Sequence, residues 1–253
     1  MLSSEQNRRY SRQLAMPEIG ADGQEKLLRS RVLVIGAGGL GSPAALYLAA
    51  AGVGTIGLAD SDAVDLSNLQ RQILHSSDVI GMQKVLSGKA RLERLNTDVH
   101  VVAHPVSVCP ENAAALVDGY DFVLECTDNF DSKYLINDIC VSRKKPFCHG
   151  AVIRFYGQIM TYVPGEGPCY RCAFRQPPDT EKAPDARKLG VIGAVPGVVG
   201  CMQAIEAIKY LTGAGELLTG RLLSVDLLDM EFQTIPLSAD PVCPACGTFS
   251  PSS

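Results

Sequence analysis

A glycine loop between an apolar run and a helical segment constrains the fold of this sequence more than any other feature. Residues 31–36 (RVLVIG) form a short apolar run bounded by glycine, which predicts a buried strand. The loop GAGGLG occupies residues 36–41, and we expect Ser42 to cap the following helix, with Pro43 in its first turn and Gly52 at its end. A strand, a Gly-x-Gly-x-x-Gly loop and a helix in this order are typical of a nucleotide-binding unit.

Strands and helices alternate over the first 150 residues, which predicts a Rossmann-like, doubly wound, mostly parallel sheet of the α/β class. The predicted helices cover 84–94, 112–117 and 131–143, and the predicted strands lie near 57–59, 99–102, 122–124 and 147. Beyond residue 150, strands are predicted at 158–163, 222–227 and 231–237 without crossover helices, which indicates an antiparallel extension. We expect one domain over 1–253, with a helical lead-in over 1–29, a nucleotide-binding half over 30–150 and a mixed-sheet half over 151–253.

Composition excludes several classes of protein. The chain has 23 Lys and Arg against 27 Asp and Glu, which argues against a nucleic-acid binder that relies on broad phosphate neutralisation. Its polar amino terminus lacks the apolar core of a secretory signal. The apolar stretch 189–211 carries Gln203, Glu206 and Lys209 three residues apart, which predicts a buried helix with one solvated edge and no membrane span. We therefore expect a cytoplasmic protein.

The glycine loop is also the first candidate for ligand binding. Gly36 permits a tight turn, Gly38 and Gly39 let backbone approach a ligand, and Gly41 allows helix and strand to pack closely. The helix that follows offers unpaired N–H groups to an anion. Asp60 lies at the distance along the chain expected for a carboxylate on ribose hydroxyls. Taken alone, these residues would also suit a dinucleotide dehydrogenase.

The charges that follow Asp60 favour a nucleoside triphosphate over a dinucleotide. Arg71 and Lys84 supply cations that spread over phosphate oxygens, and a hydride-transfer site has no need of them. Asp128 follows a predicted strand at the edge where such sheets bind ligands, and a carboxylate there is a natural Mg²⁺ ligand beside phosphates.

Four segments are distinctive, namely RYSRQ at 9–13, GAGGLGS at 36–42, LSNLQRQ at 66–72 and CTDN at 126–129. Together they resemble the MoeB/ThiF family of sulfur-carrier adenylyltransferases, bacterial relatives of the ubiquitin-activating enzymes. The resemblance covers nearly the whole chain. It implies ATP as substrate, with Asp60 at the ribose, Asn68, Arg71 and Lys84 at the phosphates, and Asp128 at Mg²⁺. It also implies a homodimer, because the arginine matching Arg12 reaches into the ATP site of the neighbouring subunit.

The resemblance implies a reaction that the residues suit. The carboxylate of a ubiquitin-like carrier ending in Gly-Gly, similar to ThiS or MoaD, attacks the α-phosphorus of ATP and expels pyrophosphate. A carboxylate is ionised at neutral pH, so no general base is needed, and Arg71, Lys84, Asp128 and Arg12 act by alignment and charge neutralisation. We therefore interpret the four histidines as structural or surface residues, namely His75, His100, His104 and His149. Thiamine thiazole and molybdopterin carriers both remain open, and segments 46–60 and 66–74 favour the thiamine side.

Two Cys-x-x-Cys pairs indicate a structural metal. Cys169 with Cys172 and Cys243 with Cys246 have the spacing of the two halves of a tetrahedral Cys₄ zinc site, although either pair alone would also suit a redox dithiol. The same four cysteines bind zinc in the family. The remaining five are predicted to be small core residues, namely Cys109, Cys126, Cys140, Cys148 and Cys201.

The chain departs from the family pattern in one place. Ala186 stands where many members carry a cysteine that handles sulfur or the acyl carrier, which puts a covalent carrier–enzyme stage in doubt. We expect the loop 176–188 to be mobile and to cover the tail of the carrier. Because no rhodanese-like segment follows Ser253, we expect sulfur to come from a separate donor such as a cysteine desulfurase.

Three other functions compete with carrier adenylation. An enzyme of the same fold that activates a modified tRNA base is expected to lack the cysteine pairs and to benefit from a basic surface. An NAD-dependent dehydrogenase does not need Arg71 or Lys84. A non-catalytic scaffold that binds a ubiquitin-like partner is expected to have lost part of the set formed by Asp60, Arg71, Lys84 and Asp128.

Overall fold

The computed structural model of the chain describes residues 1–177 and 189–247. The amino-terminal lead-in is helical, as predicted, with α1 (Ser4–Arg9), α2 (Ser11–Leu14) and α3 (Gly20–Arg29). The parallel half contains β1 (Arg31–Ile35), α4 (Gly41–Ala51), β2 (Thr55–Ala59), α5 (Lys84–Leu95), β3 (His100–His104), α6 (Pro110–Asp118), β4 (Phe122–Glu125), α7 (Phe130–Ser142) and β5 (Phe147–Ile153). The remainder contains β6 (Tyr156–Tyr162), α8 (Tyr170–Ala173), α9 (Ala194–Thr212), β7 (Arg221–Asp226) and β8 (Glu231–Pro236).

All eight of these strands form one sheet in the order β3-β2-β1-β4-β5-β6-β7-β8. The strands from β3 to β5 pair in parallel, because a helix returns the chain between them. The last three pairings are antiparallel, and β5 reaches β6 through a tight turn in which Arg154 has a φ of 53°. The predicted α/β fold with an antiparallel extension is confirmed.

The sheet buries an apolar layer on each face. On one face α4 and α5 cover β1, β2 and β3, with Leu48, Leu92 and Ile56 completely buried, and α9 covers β4, β5 and β6. On the other face α6 and α7 pack against the sheet through Val117 and Ile136. Each fully buried side chain of this kind contributes roughly 2 kcal/mol to folding. The two layers hold the carboxyl ends of the parallel strands at one edge.

The predicted cap of α4 is wrong. The helix begins at Gly41, two residues before Pro43, and Ser42 is completely buried with no hydrogen-bond partner for its Oγ among the described residues. The reason is the close approach of the helix to the loop, since a Cβ on Gly41 would lie 1.9 Å from the carbonyl oxygen of Gly36. The chain therefore enters the helix through the glycine loop itself, and the amide of Ser42 donates to the carbonyl of Gly38.

The predicted solvated edge of α9 is also wrong. Gln203 is completely buried, and its Nε2 donates to the carbonyl oxygens of Glu125 (2.8 Å) and Cys148 (3.2 Å). The buried carboxylate of Glu206 accepts from Thr161 Oγ1 at 2.6 Å and pairs with Lys209. The polar edge of α9 is able to face the sheet because protein groups, in place of water, form the hydrogen bonds that its buried side chains need. None of the helices in residues 1–177 and 189–247 combines the length and the apolar composition that a membrane span requires.

The single cysteines follow the prediction in part. Cys126, Cys140 and Cys148 are buried core residues. Cys109 and Cys201 are only half-buried, since Cys109 occupies the residue before α6 and Cys201 lies on α9. Their apolar sequence surroundings therefore overstate how deeply these two thiols are buried.

Candidate functional site

A cavity of about 1160 Å³ lies at the carboxyl ends of β1, β2 and β4. Eight of the predicted nucleotide-site residues line it, namely Gly36, Gly38, Gly39, Asp60, Asn68, Arg71, Lys84 and Asp128. Gly41 lies beneath the loop and Arg12 lies on the surface of α2, so neither lines this cavity. The sheet edge therefore gathers residues that are up to 92 positions apart in the sequence.

The glycine loop packs closely against the end of β4. Gly36 has a φ of 96°, and a Cβ there would lie 2.6 Å from the carbonyl oxygen of Cys126, so both the backbone conformation and the space require glycine. His75 supports the loop from behind, with Nε2 3.1 Å from the carbonyl oxygen of Ala37 and Nδ1 2.9 Å from Ser87 Oγ. Burial lowers the pKa of His75, so a neutral ring links the loop to α5.

Asp60 lies at the end of β2 with both carboxylate oxygens engaged. Oδ2 accepts from the Ala37 amide and Oδ1 accepts from the Asp62 amide, each at 2.8 Å. These bonds fix the carboxylate beside the glycine loop. Each oxygen keeps a second lone-pair direction for a hydroxyl donor such as a ribose.

Two cations line the cavity together with the loop. Lys84 opens α5 and is buried, with Nζ 2.8 Å from Asp62 Oδ2 and 3.9 Å from Asp60 Oδ2. Arg71 follows the 3₁₀ turn Leu66–Asn68, and its Nη1 donates to the Ser67 carbonyl at 3.2 Å. Both side chains keep further N–H groups available, so they are able to donate to phosphate oxygens.

Asp128 lies in the loop between β4 and α7. Its side chain is exposed to the cavity, and the described residues place no hydrogen bond or ion pair on its carboxylate. A carboxylate in this position has the donor chemistry that Mg²⁺ prefers.

A buried ion cluster behind Asp128 is missing from the sequence-based prediction. Glu125 is 1% exposed and Lys133 is 6% exposed, with Nζ 2.9 Å from Glu125 Oε2. His149 Nδ1 lies 2.7 Å from the same oxygen. Burial raises the pKa of Glu125, but the charge of Lys133 and the hydrogen bonds from His149 and Thr127 outweigh it and lower this pKa to about 2. The sequence shows only that a lysine lies on the inward face of a predicted helix. It does not identify the residue that pairs with this lysine.

Gln72 is a second residue that the prediction missed. It is buried at the wall of the cavity next to Arg71, and its Oε1 has no hydrogen-bond partner among the described residues. Its Nε2 would lie 3.6 Å from a Cβ on Gly38. An unpartnered amide at this position is able to bond to a ligand in the glycine loop.

The four predicted zinc cysteines come together at the other end of β5 and β6. The Cys169 and Cys243 sulfurs are 3.6 Å apart, those of Cys172 and Cys246 are 3.4 Å apart, and all four sulfurs lie within 4.8 Å of one another. Zinc bonded to four thiolates at about 2.3 Å places the sulfurs roughly 3.8 Å apart. The cluster therefore fits a tetrahedral metal ion.

The lead-in positions Arg12 at the surface. Tyr10 is buried, its hydroxyl donates to Asp98 Oδ2 at 2.9 Å, and it accepts from Asn96 Nδ2 at 2.9 Å. Burial raises the pKa of Tyr10 to about 12, so the phenol is neutral and remains a donor. Arg12 itself is exposed, and the described residues place no partner on its guanidinium.

Comparison with known proteins agrees with this arrangement. The model of the ThiF family matches residues 10–245, nearly the whole chain. The chain belongs to the ThiF family. The dehydrogenase alternative, which rests on the glycine loop alone, is therefore excluded as the family of this chain.

Relatives of this ThiF-family chain span nearly its full length. The SAMP-activating enzyme E1 of Haloferax volcanii is 48% identical over 246 residues, which cover 97% of this chain and 91% of that protein. The sulfur carrier protein adenylyltransferase of Thermus thermophilus is 44% identical over 244 residues, which cover 94% and 90%. The adenylyltransferase and sulfurtransferase MOCS3 of Bos taurus is 48% identical over 247 residues, but the chain spans only 54% of its length.

Solved structures share the fold. E. coli MccB with MccA-N7isoASN superposes with a TM-score of 0.85 at 24% identity, covering 98% of this chain and 76% of that one. At this identity the likeness establishes the architecture alone.

Two predicted features lie outside the described residues. Ala186 and most of the loop 176–188 fall in the segment between 177 and 189. Ser253 also lies beyond the described range, so the expectation of a separate sulfur donor stays a prediction.

We expect Glu125→Gln to make the folded state less stable at pH 7 and less sensitive to acid. The folded-state pKa of Glu125 is about 2, against an ordinary value of 4.5. The ionised carboxylate therefore stabilises the folded state fully at pH values above that ordinary pKa. This contribution is lost as the pH falls from about 4.5 toward about 2. Urea unfolding at a series of pH values between about 6 and about 3 measures the effect.

The wild-type free energy of unfolding should fall more steeply over this range than that of Glu125→Gln. Glu231→Gln, on the exposed strand β8, is the matched control and should keep the wild-type slope. Equal slopes for wild type and Glu125→Gln would contradict the assignment.

Proposed function

We propose that this ThiF-family chain uses ATP to adenylate the C-terminal glycine carboxylate of a ubiquitin-like sulfur-carrier protein, releasing pyrophosphate. The observation that carries the proposal is the convergence of Arg71, Lys84 and Asp128 with the glycine loop on one cavity. Relatives over the full length of the chain bear the names sulfur carrier protein adenylyltransferase and SAMP-activating enzyme E1, which supports the same activity here.

The glycine loop and the polar residues around it would divide the nucleotide between them. The backbone at Gly38 and Gly39 and the amino end of α4 would approach the phosphates. Asp60, already fixed by the Ala37 amide, would bind the ribose hydroxyls. Asn68, Arg71 and Lys84 would bind the phosphate oxygens, and the free carboxylate of Asp128 would hold Mg²⁺, whose charge would offset that of the phosphates.

The chemistry requires alignment more than proton transfer. A carboxylate oxygen of the carrier forms a bond to the α-phosphorus, and the bond from that phosphorus to the bridging oxygen of the β-phosphate breaks. Arg71 and Lys84 would stabilise the charge that develops on the departing pyrophosphate. The nucleophile is ionised at neutral pH, so the absence of a histidine among the described residues that line the cavity is consistent with the reaction.

The cavity has room for the tail of the carrier beside the nucleotide. Its volume of about 1160 Å³ exceeds the 300–1,000 Å³ typical of small-ligand sites. One wall comes from β5 and β6 and includes Ala151, whose small side chain leaves space for an extended glycine pair. This wall supports the assignment of the half from residue 151 to 253 as the carrier-binding part of a single adenylation domain.

We extend the proposal to the setting of the reaction. The chain would act as a cytoplasmic homodimer with a structural zinc ion at the four cysteines, and a separate donor such as a cysteine desulfurase would supply sulfur. The carrier would serve thiamine thiazole or molybdopterin synthesis. Adenylation of a modified tRNA base by the same fold is the alternative, and the four-cysteine cluster disfavours it.

ATP–pyrophosphate exchange in the presence of Mg²⁺ tests the activity. We expect exchange that requires a ThiS-like or MoaD-like carrier and disappears when the Gly-Gly end of the carrier is removed. Arg71→Ala should lower the exchange rate by about 100-fold or more, because a charge-stabilising donor is lost. Arg91→Ala, an exposed arginine on α5 outside the cavity, should retain the wild-type rate. No exchange with either carrier, from a chain that binds ATP, would contradict the proposal and favour the tRNA alternative.

Metal analysis tests the zinc assignment. We expect one zinc ion per chain by elemental analysis, and we expect Cys172→Ser to lose it and to unfold at a lower temperature, because the metal joins segments 74 residues apart. Cys201→Ser, at a half-buried thiol on α9, should keep the metal. A metal-free wild-type chain whose unfolding temperature is unchanged by added zinc would rule the assignment out.

Mixing of inactive variants tests the role of Arg12 in the neighbouring subunit. We expect Arg12→Ala and Arg71→Ala to be inactive alone and to recover about a quarter of wild-type exchange after subunit exchange, since half of the dimers would then be mixed and hold one intact site. Arg71→Ala mixed with Lys84→Met is the matched control and should stay inactive, because both residues line the cavity of one chain. No recovery with Arg12→Ala would place its action within its own subunit or outside the reaction.

A further inference from the structure

The loop between β4 and α7 carries Asp128, and a buried ammonium lies directly beneath it. We propose that Lys133 is a positioning residue that fixes this loop so that Asp128 presents its carboxylate to Mg²⁺ and ATP. The proposal rests on the function proposed above and adds a residue whose own side chain need not touch the substrate.

The three N–H groups of Lys133 are all used on three different segments. Nζ donates to Glu125 Oε2 at 2.9 Å, to the Thr127 carbonyl at 2.8 Å and to the Gly150 carbonyl at 3.0 Å. These acceptors belong to the end of β4, the loop itself and strand β5. One side chain on the first turn of α7 therefore joins the loop to two strands of the sheet.

Thr127 is held on both sides of its peptide unit. Its amide and its Oγ1 donate to Glu125 Oε1 at 2.7 and 2.5 Å, while its carbonyl accepts from Lys133. That carbonyl belongs to the peptide bond leading into Asp128, so the direction in which Asp128 leaves the strand depends on Lys133. After Asp128 in the sequence, Asn129 Oδ1 accepts from the Ser132 amide and fixes the start of α7.

The contrast between Asp128 and its neighbours indicates what this arrangement does. The described residues place no partner on the Asp128 carboxylate, yet the residues before and after it are anchored. The backbone is thus fixed while the side chain stays available for a ligand. A site arranged in this way meets a metal without reorganising.

Burial indicates that stability alone does not explain the cluster. Lys133 and Glu125 are 6% and 1% exposed, and removing both charges from water costs several kcal/mol per ion before their attraction offsets it. Apolar residues of similar volume often stabilise such positions equally well. Lys133 also lines the cavity, so the cluster lies where its geometry bears on the ligand.

Lys133→Met keeps the apolar stem and removes the ammonium. Lys145→Met is the matched control, because Lys145 Nζ also joins two backbone carbonyls, those of Asp118 (3.1 Å) and Tyr120 (2.8 Å), at the opposite end of the strands. Thr127→Val is a milder second variant that deletes only the Oγ1 bond to Glu125. Three quantities are measured for each full-length chain. They are the Mg²⁺ concentration that gives half-maximal ATP–pyrophosphate exchange, the rate of amide hydrogen exchange in the ligand-free chain, and the unfolding temperature.

For Lys133→Met we expect the half-maximal Mg²⁺ concentration to rise about tenfold or more, with activity partly restored at high Mg²⁺. Hydrogen exchange should quicken in the segment 126–130, and Thr127→Val should shift both quantities in the same direction by a smaller factor. Lys145→Met should leave unchanged both the half-maximal Mg²⁺ concentration and the hydrogen exchange of the segment 126–130, even if it lowers the unfolding temperature.

An unchanged Mg²⁺ requirement in Lys133→Met and Thr127→Val, with an active wild type, would overturn the positioning role. So would faster hydrogen exchange spread evenly over the sheet with none concentrated at 126–130. A wild-type chain without exchange activity would instead refute the proposed function. The failures of the two proposals are therefore distinguishable.

Discussion

Polar side chains from several elements form hydrogen bonds to the carboxyl end of β4, and the shape of the cavity depends on these contacts. From α9, Gln203 donates to the Glu125 carbonyl, and from α7, Lys133 donates to its carboxylate. The turn at Gly36 lies so close to the Cys126 carbonyl that a Cβ would come within 2.6 Å of it. Because the glycine loop packs against this point and the Asp128 loop starts from it, fixing it sets the distance between the two loops.

The cysteine cluster is mechanically continuous with the same region. Tyr170, next to Cys169, donates its amide to Asn137 Oδ1 at 2.9 Å, and its ring lies 4.6 Å from the ring of His149. His149 in turn bonds to Glu125, and Arg171 forms a two-bond ion pair with Asp138 of α7. Ordering of the four cysteines therefore supports α7, which follows the Asp128 loop, and β5, to which Lys133 joins that loop.

Sequence reasoning succeeds here where the information is local. The strands and helices follow from residue periodicity, and the glycine loop, Asp60, Arg71 and Lys84 follow from short motifs on consecutive elements. It fails where a residue's role depends on a partner that spacing does not name. The spacing of Gln203 and Glu206 on α9 identifies a face of the helix but not whether water or Thr161 covers it. Likewise, Lys133 meets Glu125 only because α7 packs behind β4.

The glycine loop alone does not separate adenylation from other uses of the same fold, and the distinction lies in the groups that surround it. Arg71 and Lys84 come from the turn after Leu66 and from the start of α5, and Asp128 comes from beyond β4. A phosphate chain would therefore meet two positive charges and a metal ligand in one cavity. Among the residues that the structure describes, no histidine lines the cavity. Burial lowers the pKa of His149, which keeps its ring neutral and bonded to Glu125. A nucleophile that arrives already ionised needs this kind of site, in which fixed charges and fixed backbone replace proton transfer.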